Sequence, residues 1–426
     1  MEYLNLHSPI FFRHGLRKYL LATIALSLVM LSASSKAAAG SVAEALTSGK
    51  VFGDIRLRYE SVDQDNPLDD ATALTVRTRL GYSTGSYEGF SALVEFEDSR
   101  IVAGVDDFSV PPIGFNLGSS IIADPETTEI DQGYIQYKNS LVTARVGAQV
   151  IALDNQRFIG HVGWRQDRVT FDAVSATFTP TDKLKITAAH LFERNRIFGE
   201  VLDQESKDNI VNITYPTSIG KLNAYAYLLE DDFGNNISRD TYGIRLAGAR
   251  SLQGTKVNYV VEYADQSLED DAGLDFSTDY IHFELSAAVQ KVRVKVGMES
   301  LGSDGGGQGF FTPLGTVHKF NGFSDQFVLY TPAVGLVDVY VGASRKVGPG
   351  MLSVVYHDFS ADEGTASVDD LGNEINVTYG MKFGKRYNAG IKYAKYEAED
   401  NFRPAGAPPV VSVDTEKVWI FMGLTF

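Results

Sequence analysis

Residues 291–300 read KVRVKVGMES, a run in which apolar and charged side chains alternate. Val294 lies between Arg293 and Lys295, and Val296 follows Lys295, so every second position in the run is apolar. A helix repeats every 3.6 residues and cannot sort such a pattern onto two faces, whereas a β-strand does so automatically. We therefore interpret this run as a strand with one apolar face and one water-facing face.

The same alternation recurs along most of the chain. It is clear in residues 54–60 (DIRLRYE), 74–83 and 374–383 (EINVTYGMKF). We count about 18 such segments of roughly ten residues, the length that a tilted strand needs to cross a membrane, and an even number suits a single-chain bacterial barrel. Beyond the N-terminal segment there is no apolar run long enough for a membrane-spanning helix.

The connections between these segments alternate between short and long. The short ones are residues 138–140, 216–220, 290, 347–350 and 384–386, and the long ones are residues 61–72, 98–128, 194–207, 266–277, 302–335 and 398–415. Outer-membrane barrels have short periplasmic turns and longer external loops. The sequence thus predicts an all-β fold, a transmembrane antiparallel β-barrel of about 18 strands with both termini on the periplasmic side.

The N-terminal segment has the features of a secretion signal. Arg13, Arg17 and Lys18 precede an uncharged apolar run at residues 19–31, and an Ala-Ala-Ala site ends at Ala39. This pattern is typical of a cleaved signal peptide. We expect residues 1–39 to be a signal peptide for export through the Sec pathway, and residues 40–426 to form a barrel in the cell outer membrane.

Charge argues against a nucleic-acid partner. Without residues 1–39 the chain has 34 basic and 53 acidic residues, a net charge of −19. Nucleic-acid-binding surfaces are basic. The acidic residues concentrate in the predicted external loops, where divalent ions could bridge them to lipopolysaccharide. Outer-membrane lipid and lipopolysaccharide are therefore the expected surroundings.

The chain ends in an apolar row that includes Ile420, Met422, Leu424 and the terminal Phe426. A C-terminal strand of this kind resembles the signal that the barrel-assembly machinery reads. We expect Phe426 to be needed for insertion into the membrane.

Two stretches resemble a known family. Residues 146–174 read VGAQVIALDNQRFIGHVGWRQDRVTFDAV, and residues 309–334 read GFFTPLGTVHKFNGFSDQFVLYTPAV. Both are similar to the alginate export family of proteobacterial outer-membrane proteins, whose members are 18-stranded barrel porins. The resemblance covers essentially the whole exported chain and implies a channel.

Strand parity predicts which side chains line the lumen if the apolar row faces lipid. The pore-lining set is Arg56, Arg58, Arg77, Arg79, Glu95, Glu97, Arg145, Arg245, Arg293, Lys295, Lys382 and Lys392. Rings of basic residues line anion pores, and the pairs on the first two strands should lie at similar depth. Two interpretations stay open: a weak anion preference, or a ladder of salt bridges that only closes the wall.

The predicted loop around residues 153–166 carries side chains that suit a sugar. Amides bind hydroxyls, guanidinium groups pair with carboxylates, and aromatic rings stack on pyranose faces. The candidate substrate-binding residues are Asp154, Asn155, Gln156, Arg157, Trp164 and Arg165. The alternative is a loop that folds inward and packs on the wall, and the aromatic stretch at 309–334 has the same two interpretations.

No catalytic motif or metal site is apparent. The chain lacks cysteine, and its histidines beyond residue 40 are isolated from one another in sequence. We therefore expect no enzyme activity, no cofactor and no bound metal. The favoured function is passive diffusion of an anionic or polar small solute or saccharide. An outer-membrane enzyme and a structural or adhesive barrel without conductance are the alternatives.

Overall fold

The computed structural model describes residues 39–231, 237–270, 273, 275–305, 308–328, 330–399 and 412–426. The predicted signal peptide lies outside these residues except for Ala39. A short helix, α1 (Val42–Thr47), precedes the strands. The strands are β1 (Lys50–Gln64), β2 (Ala71–Ser83), β3 (Phe90–Asp107), β4 (Ser109–Val110), β5 (Gly114–Phe115), β6 (Thr127–Lys138), β7 (Val142–Gln149), β8 (Thr170–Phe178), β9 (Lys185–Asn195), β10 (Gln204–Thr217), β11 (Gly220–Asp231), β12 (Ile237–Leu252), β13 (Thr255–Glu269), β14 (Asp275–Val289), β15 (Val292–Leu301), β16 (Leu336–Val347), β17 (Gly350–Ser360), β18 (Asp370–Phe383), β19 (Tyr387–Glu397) and β20 (Thr415–Thr425). Two 3₁₀ turns, Glu200–Leu202 and Val317–Lys319, lie in connections.

The long strands close into one antiparallel barrel. All strands except β4 and β5 form an 18-stranded sheet. Each of these 18 strands pairs with the one before and the one after it, so that β3 pairs with β6. Strand β1 pairs with both β2 and β20, which closes the sheet and removes its edges. The predicted 18-stranded barrel is confirmed. The small β4–β5 hairpin lies in the connection after β3 and was not predicted.

The two rims of the barrel differ, as the alternating connections predict. One rim has brief turns, such as the two-residue links between β14 and β15 and between β16 and β17. The other has the long connections, including those that follow β7 and β15. Helix α1 lies at the short-turn rim, where the carbonyl of its Ala45 accepts from the Gly85 amide at 2.9 Å.

The outer face is apolar, whereas the interior is polar and contains the packed core. Val296 and Ile420 are about half exposed on the outside, at 50% and 53%. Inward-facing Glu299 and Glu374 are buried. The main cluster of buried apolar side chains joins wall residues to residues of the connections after β7 and β15. Among the described residues, no helix is long and apolar enough to cross a membrane.

Candidate functional site

The connection after β7 crosses the lumen. We call residues 150–169 the first inward loop. Its Arg165 is 3.1 Å from Glu60 on β1, its Asp154 accepts from Asn212 on β10 at 2.7 Å, and its Arg157 is 3.0 Å from Glu299 on β15. Because β1, β10 and β15 divide the circumference into three similar parts, a loop that contacts all three must span the interior.

The connection after β15 also folds inward. We call residues 308–328 the second inward loop. Asn321 donates to Glu299 on β15 at 2.7 Å, Gln326 donates to Thr415 on β20 at 2.9 Å, and Asp325 is 3.1 Å from Lys417 on β20. The second loop therefore covers the part of the wall from β15 to β20.

The two inward loops hold each other. The Gly160 amide donates to the Leu314 carbonyl at 2.7 Å, and the Thr316 amide donates to the Gln156 carbonyl at 2.8 Å. Arg165 of the first loop lies 3.2 Å from Asp325 of the second. We refer to the two loops together as the lumenal plug, since they form one hydrogen-bonded body inside the barrel.

Aromatic packing fixes one side of the lumenal plug. Phe158 lies edge-on to Tyr280 of β14, with ring centroids 5.3 Å apart, and also contacts Tyr225 of β11 at 5.0 Å. Phe310 of the second loop packs against Phe158 at 6.0 Å. These rings are buried, so direct apolar packing holds the plug against this side of the wall.

The arginines predicted on the first two strands bind protein groups. Arg56 lies opposite Arg77 in the register, which places the two pairs at similar depth. Arg58 pairs with Asp124, Arg77 with Asp54, and Arg79 with Glu97. Arg56 donates to the Gly163 carbonyl at 3.1 Å and to Gln166 at 3.0 Å. These four guanidinium groups attach the first inward loop or pair with nearby carboxylates.

Three further predicted lumen residues are also paired. Glu95 accepts from Gln132 at 2.6 Å, and Arg245 is 3.2 Å from Glu262. The Lys392 ammonium lies 4.0 Å from the Trp164 ring centre and 3.6 Å from that of Phe323. Lys392 therefore occupies an aromatic cage at the plug rather than an open pore.

His318 completes this cage. Its ring stacks on Trp164 with centroids 5.1 Å apart, and its Nε2 is 2.6 Å from the Lys392 ammonium. Burial lowers the pKa of His318 to about 3. The ring is therefore neutral at physiological pH, so that Nε2 accepts from Lys392 while Nδ1 donates to Asp325.

Four predicted basic residues lie on the short-turn side of the plug. Arg293 and Lys295 line a polar recess of about 230 Å³ together with Glu284, Ser286, Ser344 and Ser353. Arg145 donates to Gln136 at 2.9 Å, and Lys382 is exposed near the end of β18. Among the described residues, none of these four cations has a carboxylate oxygen within 4.0 Å.

The six candidate substrate-binding side chains have protein partners. Asp154, Arg157 and Arg165 bind the wall, as described above. Asn155 Oδ1 accepts from the Arg157 amide at 3.2 Å, and Gln156 accepts from Thr316 at 3.0 Å. The Trp164 ring is enclosed by His318, Phe421 and Trp419. In the structure these six side chains therefore belong to a loop that folds inward and packs on the wall. A role for them in binding a solute stays a prediction.

Several plug contacts could not be read from strand parity. Asp124 comes from the connection after β5 and reaches Arg58, while Glu374 of β18 accepts from the Ser324 amide at 3.0 Å. Glu129 and Asp167 lie beside Glu97. Contacts between segments that are distant in the chain leave no periodic signal in the sequence. The one available signal is a carboxylate within an apolar or amide-rich loop, which indicates that the carboxylate has a partner elsewhere.

Solved structures show the same fold. The barrel resembles a structure from Pseudomonas aeruginosa described as OpdK with vanillate, at 12% identity and a TM-score of 0.67, with 89% of this chain and 99% of that chain covered. OccAB2 from Acinetobacter baumannii is 12% identical, with a TM-score of 0.68 and coverage of 90% and 99%. OccK9 (OpdG) from Pseudomonas aeruginosa is 13% identical, with a TM-score of 0.66 and coverage of 90% and 100%.

Sequence comparison gives the family. No curated protein matches the chain significantly. The model of the family described as "Alginate export" matches residues 45–268, which is more than half of the 426 residues. That range begins within α1 and runs into β13, and it includes the whole first inward loop. The chain therefore belongs to the alginate export family and is a β-barrel channel of the outer membrane.

Proposed function

We propose that the channel passes a small anionic or polar solute, or a saccharide, by passive diffusion through the space that the lumenal plug leaves. The observation that carries this proposal is the contrast between the basic residues at the plug and those on its short-turn side. Where the plug meets β1 and β2, Arg58, Arg77 and Arg79 are paired with Asp124, Asp54 and Glu97. On the short-turn side, Arg145, Arg293, Lys295 and Lys382 have no ion-pair partner among the described residues.

The polar recess is the part of the wall that suits such a solute. Arg293 and Lys295 offer positive charge, and Ser286, Ser344 and Ser353 offer hydroxyls. Glu284 already accepts from the Tyr340 hydroxyl at 2.9 Å. A carboxylate or hydroxyl of a solute could replace water here, since guanidinium and ammonium groups bind carboxylates well.

Ion selectivity tests the proposal. We expect a weak anion preference in a tenfold KCl gradient at low ionic strength, measured as the reversal potential across a planar bilayer. The Arg293→Gln/Lys295→Gln double variant should lose much of that preference, because basic rings set anion selectivity. Lys395→Gln is the control, since Lys395 is exposed on the outer face and pairs with Glu397 at 2.6 Å.

Two outcomes would remove the recess from the mechanism. One is cation preference in the wild-type channel. The other is an equal reversal potential in the wild type and the double variant.

We also propose that the barrel-assembly machinery reads Phe426 and that the acidic external loops contact lipopolysaccharide. Phe426 directly follows β20, is 46% exposed, and exchanges backbone hydrogen bonds of 3.0 Å with Gly53. Phe426→Ala should lower the fraction of heat-modifiable, folded protein in cells. A folded fraction equal to that of wild type would count against a role for this residue in assembly.

A further inference from the structure

Three carboxylates from three different elements meet at the wall. Glu97 lies on β3, Glu129 on β6 and Asp167 in the first inward loop. One oxygen of each lies within 4.8 Å of the other two. Glu97 and Glu129 are direct partners across the strand pair, and the register shifts beside them at Asp131. This β-bulge turns Asp131 inward as well, which raises the density of carboxylates at this point.

The site is buried and short of positive charge. Glu97 and Asp167 are 0% and 1% exposed. Arg79 binds one oxygen of Glu97, and Arg168 is 3.1 Å from Asp131 and also pairs with Glu95. Five carboxylates, those of Glu95, Glu97, Glu129, Asp131 and Asp167, thus share the two guanidinium groups of Arg79 and Arg168. The nearby Arg77 is paired with Asp54.

The Asp167 carboxylate is buried without an N–H or hydroxyl donor among the described residues. Neither of its side-chain oxygens accepts such a hydrogen bond, nor does Glu97 Oε1, and the Glu129 carboxyl lies within hydrogen-bond reach of Asp167. A buried carboxylate without a donor or counter-ion is strongly disfavoured. The Asp167 oxygen that lies within 4.8 Å of Glu97 and Glu129 therefore lacks an N–H or hydroxyl donor, which gives a second indication, besides the acidic cluster itself, that a cation belongs there.

We propose that Glu97, Glu129 and Asp167 bind one divalent cation of the Ca²⁺ type. Ca²⁺ takes carboxylate oxygens at about 2.3–2.6 Å, so that two ligand oxygens on one ion are at most about 5 Å apart. The separations in the cluster satisfy that limit. An all-oxygen ligand set favours a hard ion over zinc or copper, and Ca²⁺ tolerates the irregular geometry of two strands and a loop better than Mg²⁺ does.

The ion would attach the first inward loop to the wall. Asp167 lies in the loop, whereas Glu97 and Glu129 lie on adjacent strands, so one ion would join all three. The sequence led us to expect no metal, because it has no cysteine, no clustered histidines and no metal-binding motif. The three carboxylates are far apart in the chain, and only Glu97 was placed in the lumen. The inference is independent of which solute the channel carries.

Calcium titration tests the site directly. The purified, folded full-length barrel in detergent is stripped with a chelator and titrated with CaCl₂ in a calorimeter, with MgCl₂ as a second probe. We expect one site per chain in the wild type, with weaker Mg²⁺ binding. Asp167→Asn and Glu129→Gln should each weaken Ca²⁺ binding roughly tenfold or more, since the number of charged ligands sets the affinity.

Asp107→Asn is the matched control, because Asp107 is an exposed carboxylate on the same strand as Glu97. Its affinity should equal that of wild type. The unfolding temperature gives a second readout: Ca²⁺ should raise it in the wild type and in Asp107→Asn but not in Glu129→Gln. Absence of Ca²⁺ binding in the wild type, as expected if the carboxyls share protons instead, would overturn the proposal. Equal binding by all variants would also overturn it.

Discussion

Arg157 shows how one side chain holds the plug in place. It is 1% exposed, its Nε lies 3.0 Å from Glu299, and its guanidinium group lies 5.0 Å from the ring centre of Phe320. It therefore joins the first inward loop to β15 and to the second inward loop. Glu299 also accepts from Tyr280 at 2.6 Å and from Asn321 at 2.7 Å, so the pair is the centre of a network.

Removal of Arg157 should destabilise the barrel. Arg157→Met leaves the Glu299 carboxylate buried without its cation, which costs about 3–5 kcal/mol when one partner of a buried pair is lost. The free energy of unfolding, measured by urea titration in detergent, should fall by an amount of that order. Lys319→Met is the control, because Lys319 is exposed and its removal leaves no buried carboxylate without a cation.

The double variant separates charge from packing. In Arg157→Met/Glu299→Leu no unpaired carboxylate remains, so much of the lost stability should return. If the double variant is as unstable as the sum of the two single variants, the two side chains do not act as a pair and this explanation is wrong.

For single residues, the sequence predicted which side chains face the lumen, but it did not predict the residues with which those side chains form contacts. Parity placed Arg58 and Glu97 in the lumen, but it could not show that Asp124 would reach Arg58 from a connection. Asp167 was missed because a loop residue has no strand parity. Glu129 lies next to the bulge at Asp131, where the alternation of two breaks down.

At the scale of the strands, several glycines make room for aromatic rings. A Cβ on Gly297 of β15 would lie 2.3 Å from Tyr340 Cζ on β16, and the two residues are partners in the register. Gly243 and Tyr225 are related in the same way on β12 and β11. The rings lie flat over neighbouring glycines, which covers the exposed backbone of the glycine with apolar surface.

Gly297→Ala should therefore disturb Tyr340. The new methyl group would displace a ring whose hydroxyl is hydrogen-bonded to Glu284 at 2.9 Å and to His282 at 3.0 Å. We expect a loss of about 1–3 kcal/mol in the free energy of unfolding, as for other overpacked sites. Gly380→Ala on β18 is the control, because a methyl group added there would meet no other atom within 4 Å. Equal stability of the two variants would show that the glycine–tyrosine contact is unimportant.

The strands themselves were predictable because alternation is local. The sequence placed connections at residues 98–128, 194–207 and 216–220, whereas β3 continues to Asp107 and β10 extends from Gln204 to Thr217. Both differences lie chiefly toward the long-loop rim. There the strands continue, but the regular alternation of apolar and polar side chains that marks a lipid-facing strand is lost, as in residues 99–107 (SRIVAGVDD).

For the whole molecule, the closed barrel and the difference between its two rims could be predicted from the sequence, whereas the plug that fills the interior could not. Strand number and the parity of the connections could be counted along the chain. Inward folding of the connections after β7 and β15 was one of two interpretations of the sequence. The sequence of a loop does not indicate which part of the barrel wall the loop will contact. The contacts of Arg157 and Asp325 decide it in the structure.

If the lumenal plug narrows a conducting channel, removal of the second inward loop should raise the single-channel conductance. The comparison is between the wild type and a variant in which residues 308–328 are replaced by a short Gly-Ser linker, both in planar bilayers. We predict a small, steady conductance in the wild type and a several-fold larger one in the variant, because the linker removes the contacts to β15 and β20 that cover the lumen. Equal conductance in the two proteins, or no conductance in either, would show that the plug does not narrow a conducting channel.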